Sequence, residues 1–324
     1  GARVAIFTAP GKSAILRGGR GMSRQPNTIQ TERYATHPSS PGTGRERRLG
    51  EVAVKAGIRI PLIAWSVMVL YPLFWMLMGA FKSNAEIYAS PWGMPEVFNF
   101  GNFIQGWTDY NIGSSFFNSL IVTGFGTLLT LALAIPTSYA LERVKFRGSA
   151  VLYNVYLAAM MIPMVLGWIP LFFLLLNIKL LNSLIGLIII YAVSQVPFSV
   201  FILTGFMGTV PSELEESAAI DGLSPYGTLF RIVAPLTKSG IITVTIMNAI
   251  TFWNEYFMAL IFLQSEDKYT LGLAMDYIHS EVQYTNAWGT LFAGLTISIL
   301  PVIIAYALFQ RQIAKGMTEG AVKG

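Results

Sequence analysis

No cysteine occurs anywhere in the 324 residues, which excludes disulfides, thiolate nucleophiles and cysteine-ligated metals. Histidine is nearly absent too: His37 and His279 lie far apart in sequence, too few for a zinc enzyme or an imidazole-based triad. Charge is scarce. Asp, Glu, Lys and Arg make up 12% of the chain, against roughly 25% in an ordinary soluble domain. These absences point away from an enzyme: no catalytic residue and no metal ligand is expected.

In place of charge stand long apolar runs. A helix needs about 20 mostly apolar residues to cross a bilayer. The chain offers that length six times: 60–80, 116–141, 148–178, 180–210, 239–263 and 287–309. Five of these stretches contain no charged residue, and the remaining one, 239–263, holds only Glu255. The expected fold is an all-α polytopic membrane protein with six transmembrane helices. Proline falls inside every span except the fifth (Pro61, Pro72, Pro136, Pro163, Pro170, Pro197, Pro301), so kinks are expected in those helices. The organisation reads as a flexible basic tail over 1–54, a six-helix membrane domain over 55–315 and a C-terminal tail over 316–324. Within the basic tail, Val4–Ser13 looks a little like a strand leading into a phosphate loop. Ile6 stands where that loop needs glycine, so no nucleotide site is expected. The apolar run Val4–Thr8 is also too short for a secretory h-region.

Orientation follows from Lys and Arg, which are retained on the cytoplasmic side. Six spans place both termini and the loops 142–149 and 211–238 on one side. Every Lys and Arg except Lys82, Lys179 and Lys268 falls on that side. The protein is therefore expected in the cell membrane with cytoplasmic termini. The net charge of +5 is accounted for by this asymmetry, with no need for nucleic acid.

One cytoplasmic loop is unusually elaborate. Ser212 and Glu215 have the spacing of a capping box, and Glu213, Glu215 and Glu216 put negative charge on the positive end of a helix dipole. Gly222 is a natural terminator. Ser224–Pro225 starts a second helix, with serine at the N-cap and proline at N1, and Pro235 closes it. The prediction is a helix–turn–helix at the membrane surface.

At these residues the chain resembles the membrane-spanning permease subunits of bacterial ABC importers. Their signature is Glu-Ala-Ala, three residues, Gly, nine residues, Ile, one residue, Leu-Pro. Here Glu216-Ser217-Ala218, Gly222, Ile232 and Pro235 keep that spacing, with departures at Ser217 and Ala234. Two further segments narrow the likeness. Phe252–Leu263 resembles the fifth span of carbohydrate-uptake permeases, and Gly316–Gly324 is similar to the tail of the MalG-like, maltose-type branch. The resemblance implies a permease for a sugar or oligosaccharide, worked by alternating access. It would assemble with a second homologous permease, two cytoplasmic ATPase subunits and an extracellular solute-binding protein. No cofactor is expected on this chain, since ATP and Mg would bind the partner ATPases. By resemblance, Glu216, Ser217, Ala218, Asp221, Gly222, Ile232 and Pro235 would couple to the ATPase, with Ala218 and Gly222 permitting close approach. Gly320, Lys323 and Gly324 would reach toward the ATPase dimer.

Polar residues inside the spans are the candidates for a translocation path. Asn248, Thr251 and Glu255 recur at i, i+3 and i+7 and so share one helix face, with Asn254 beside it. A charge at mid-membrane costs roughly 2.5–3.5 kcal/mol on insertion scales and usually faces a cavity or the bundle interior. Interhelical hydrogen bonding is the alternative role. A permease for glycerol phosphate or an amino acid is the nearest rival function. A secondary transporter is more distant, because it would want several intramembrane acids or an inverted repeat.

Overall fold

A computed structural model describes residues 44–144 and 146–321. The described residues are mostly helical, with no strand among them. The chain divides at Leu62 into a short unit and a large one, Ile63–Gly324. In order, the helices are α1 (Gly44–Gly79), α2 (Asn84–Ala89), α3 (Gly101–Thr108), α4 (Ile112–Tyr139) and α5 (Ser149–Met161). Next come α6 (Trp168–Asn177), α7 (Leu184–Met207), α8 (Ser212–Ile220), α9 (Pro225–Thr228) and α10 (Ala234–Leu236). The last four are α11 (Lys238–Trp253), α12 (Phe257–Phe262), α13 (Leu271–Thr285) and α14 (Trp288–Ala321). Two π-helical segments, Ala140–Val144 and Leu229–Val233, continue α4 and join α9 to α10.

Among the described residues, four helical stretches are long and apolar enough to cross a membrane: Gly57–Gly79, Ile112–Val144, Leu184–Met207 and Trp288–Gln312. Two bent pairs bring the number to six if each pair is one span. The first pair corrects the expected continuous third span. Helices α5 and Met164–Asn177 meet at 95°. The cause is local: Pro163 forces Ile162 into an extended conformation (φ −83°, ψ 119°), so the helix must stop there. The second pair, Pro225–Leu236 and α11, bends by 81° at Thr237.

The fifth span departs from expectation at its other end as well. Its straight helix stops at Trp253 instead of running to Leu263, although no proline intervenes. Asn254 Nδ2 turns back to the Ile250 carbonyl (2.8 Å), and Glu255 takes the free N–H groups of the next helix. Side-chain competition of this kind breaks a helix as effectively as proline does.

Helix extends into both tails. Residues 44–54, expected in a flexible tail, form the start of α1, and α14 continues through Ala321. Strong helix formers such as Arg, Glu, Leu, Lys, Gln and Ala dominate both stretches. The remainder of the basic tail, Lys323 and Gly324 lie outside the described residues.

The bundle is centred on α7, which packs chiefly against α4 and also against α5 and α11. At one end, Ala134, Leu141, Val196, Val200, Leu203 and Val244 form an apolar core, joined by Tyr139, Met207, Val210, Leu229 and Val233. At the other, Val122, Tyr191 and Phe252 pack with α6 and α12, while Ile112 packs with α13 and α14. The last interspan loop holds the helix α13. Leu271, Ala274, Met275, Ile278 and Val282 are its buried stripe at helical spacing. It is pinned to the first interspan loop: Trp288 Nε1 donates to Tyr88 Oη (2.7 Å), which donates to Asn286 (3.0 Å). Lys82 Nζ, buried, donates to the carbonyl of Ser90 (2.8 Å) and holds the end of α2. The two interspan loops thus form a folded cap.

Candidate functional site

The segment between α7 and α11 folds as a compact pair of helices. Helix α8 ends in a Schellman closure: Leu223 N–H bonds the Ala218 carbonyl (2.9 Å) and Gly222 N–H the Ala219 carbonyl (3.1 Å). Gly222 sits at φ +80°, the left-handed conformation its position demands. Ser224 then caps α9, its Oγ accepting from Gly227 N–H (3.2 Å), with Pro225 at the first helical position. These features agree with the sequence reading. Pro235 does not end the second helix but sits inside α10, and Thr237 makes the turn into α11. Proline supplies no N–H to the turn before it, and the neighbouring turn widens into the π segment Leu229–Val233.

The capping box is not formed. Helix α8 begins after Pro211, so Ser212 is already helical and makes no cap bond. Glu215 points elsewhere. Its Oε2 accepts from Tyr139 Oη (3.2 Å) and its Oε1 lies 3.0 Å from Arg143 Nε, an ion pair rather than an aligned hydrogen bond. Arg143 Nη2 donates to the carbonyls of Met207 (2.7 Å) and Val210. One guanidinium thus ties the end of α4, the end of α7 and α8 together. Sequence reading counted Arg143 only as an orienting charge and Glu215 only as a cap and helix-dipole charge.

Helical spacing divides α8 into two faces. Glu215 and Ala218, three residues apart, face the protein; Ala218 is 3% exposed. This corrects the expected role of Ala218, which is spent on internal packing and leaves the outward small position to Ala219. Glu216, Ser217, Asp221 and Gly222 are exposed, with Ser217 Oγ bonded back to the Glu213 carbonyl (2.8 Å). Two large apolar side chains of the same segment are also exposed, Ile220 at 87% and Tyr226 at 72%. Ile232 is half-buried and Pro235 exposed. Gly320 lies within α14.

Where the chain re-enters the bundle, Gly240 of α11 lies under the ring of Phe206 at the end of α7. A Cβ there would stand 2.4 Å from that ring, so only glycine permits this approach.

The four candidate pathway residues do not share one face. Asn248 is wholly buried and donates to Ser199 Oγ of α7 (2.9 Å), an interhelical contact. Thr251 and Asn254 are exposed, each bonded to a carbonyl one turn back. Glu255 lies beyond the end of α11. It accepts from Met258 N–H (2.8 Å), Ala259 N–H (3.2 Å) and Tyr191 Oη (2.5 Å), capping α12 and fastening it to α7. The expectation of a continuous polar wall fails because the helix that would carry it has ended. Among the described residues there is no cluster of His, Asp or Glu able to hold a metal ion.

Residues 126–319 match the family model described as "binding-protein-dependent transport system inner membrane component". The chain is 36% identical over 262 residues to the diacetylchitobiose uptake system permease protein NgcG of Streptomyces coelicolor, covering 81% of this chain and 87% of that protein. It is 33% identical over 263 residues to the arabinooligosaccharides transport system permease protein AraQ of Bacillus subtilis, covering 80% and 92%. Among solved structures, a chain of a bacterial ABC transporter that imports the acidic polysaccharide alginate superposes with a TM-score of 0.69. That match has 24% identity and covers 83% of this chain and 98% of the other.

Proposed function

The chain belongs to the family of binding-protein-dependent transport system inner-membrane components, and from that premise we propose how it works. It is a multi-pass cell-membrane protein, the permease subunit of an ATP-driven sugar or oligosaccharide importer of the MalG-like branch. It is not itself an enzyme: in this family ATP is hydrolysed by separate ATPase subunits. The curated relatives named for diacetylchitobiose and arabinooligosaccharide uptake support a sugar cargo.

The finer assignments are our reading. The termini and the α8–α10 loop lie in the cytoplasm, following the distribution of Lys and Arg. The assembly contains a second homologous permease, two ATPases that bind ATP and Mg, and an extracellular solute-binding protein. Closure of the ATPases pushes α8 and switches the pathway between its two orientations. Thr251 and Asn254, exposed on the fifth span, are the pathway candidates that remain.

The observation that carries this reading is the outward face of α8. It exposes the charged Glu216 together with the apolar Ile220 and, on the next helix, Tyr226, while the small Ala219 and Gly222 leave room for a partner backbone. A charge-assisted contact of this kind contributes about 1.5–3 kcal/mol, roughly ten- to 150-fold in an equilibrium. Glu216→Lys is expected to leave the chain in the membrane and abolish uptake. Normal substrate-stimulated ATP hydrolysis by the Glu216→Lys complex would sink the assignment.

A further inference from the structure

We propose that Arg143 is a positioning residue: it is the latch through which movement of α8 reaches the ends of α4 and α7. The proposal rests on the reading of α8 as the surface the ATPase pushes. Three observations carry it. Arg143 and Glu215 are mostly shielded, with side chains 14% and 16% exposed, so their ion pair is little screened by water. The same guanidinium donates to the Met207 and Val210 carbonyls at the end of α7, while Tyr139 of α4 donates to the other oxygen of Glu215. Arg143 also lies in the π segment Ala140–Val144. An extra residue in a helical turn shifts the following side chains by about 100° relative to an α-helix, and here Arg143 is turned toward α8.

The rest of the attachment is of a different kind. Behind α8, Leu229 and Val233 pack on Tyr139, Met207 and Val210 through apolar surface alone. Such contacts hold the loop near the bundle and resist sliding only weakly, because they have no preferred direction. The latch supplies direction. A nine-residue helix such as α8 is also too short to be stable by itself, so its order reports its docking.

The test uses the transporter complex and, separately, the full chain in lipid nanodiscs. Arg143→Gln and Glu215→Gln are each expected to speed amide exchange of residues 212–220 in the chain alone on the order of tenfold. In the complex, the same variants should still co-purify with the ATPase but move several-fold less substrate per ATP hydrolysed. The double variant should be no worse than either single one, as expected of two partners in one interaction. Arg143→Lys, which keeps the charge, should recover part of the coupling. Unchanged exchange in α8, additive losses in the double variant, or an intact transport-to-ATP ratio despite faster exchange would each overturn the latch. Glu216→Lys separates this proposal from the one beneath it. If that variant docks the ATPase normally while the Arg143 variants behave as expected, the functional reading fails and the mechanical link stands.

Discussion

Glu215 and Glu255 each accept a hydrogen bond from a tyrosine on a helix far away in sequence, Tyr139 in one case and Tyr191 in the other. Their remaining partners differ. Glu215 meets a cation, Arg143, that is itself anchored to a third element. Glu255 meets the N–H groups of Met258 and Ala259, in its own chain segment. The first arrangement joins parts that can move against one another; the second fixes the start of a short helix. A carboxylate in an apolar surrounding thus acquires its role from where its donors come from, not from its own position in a span.

That contrast can be broken at Glu255. Glu255→Ala removes a helix cap and leaves the Tyr191 hydroxyl buried without its acceptor, at an expected cost of about 2–3 kcal/mol. Denaturant unfolding of the detergent-solubilised chain would measure it, and transport per assembled complex should hardly change. A large fall in transport by well-assembled complexes would place Glu255 in the pathway after all. Tyr191→Phe sharpens the comparison by keeping the ring, which stacks on Phe252 at 5.2 Å, and removing only the hydroxyl. The expected loss is about 0.6–1 kcal/mol in the same unfolding experiment. Thr251→Val is expected to be the mildest for folding, within about 0.5 kcal/mol. If its face carries substrate, uptake should fall about two- to tenfold with assembly intact; unchanged uptake would remove Thr251 from the path.

The legible parts of this sequence were those whose cause is local. Hydropathy located the spans, Gly222 announced a left-handed turn and Ser224–Pro225 announced a helix start, because each signal needs only its immediate neighbours. Glu215 was misread for the complementary reason. Its spacing from Ser212 fits a capping box, but Arg143 lies far away in the chain and outcompetes the local donor. The end of α11 at Trp253 escaped notice because no proline marks it; the break comes from side chains of Asn254 and Glu255 bonding to nearby backbone. Helix α13 was available in principle, because Leu271, Met275, Ile278 and Val282 have helical spacing. Asn248 could not have been placed from sequence, since its partner Ser199 sits on another helix.

The close seat of Gly240 beneath Phe206 has a consequence for how this protein can diversify. It fixes the two feet of the α8–α10 segment beside each other, so the segment is closed at its base whatever its contour. For a loop already closed, added residues carry only a slowly growing entropic cost, about 0.6 kcal/mol for each doubling of length. The tip around Asp221–Ser224 can therefore be lengthened or reshaped at little cost, while Gly240 at the base admits no larger side chain unless Phe206 moves.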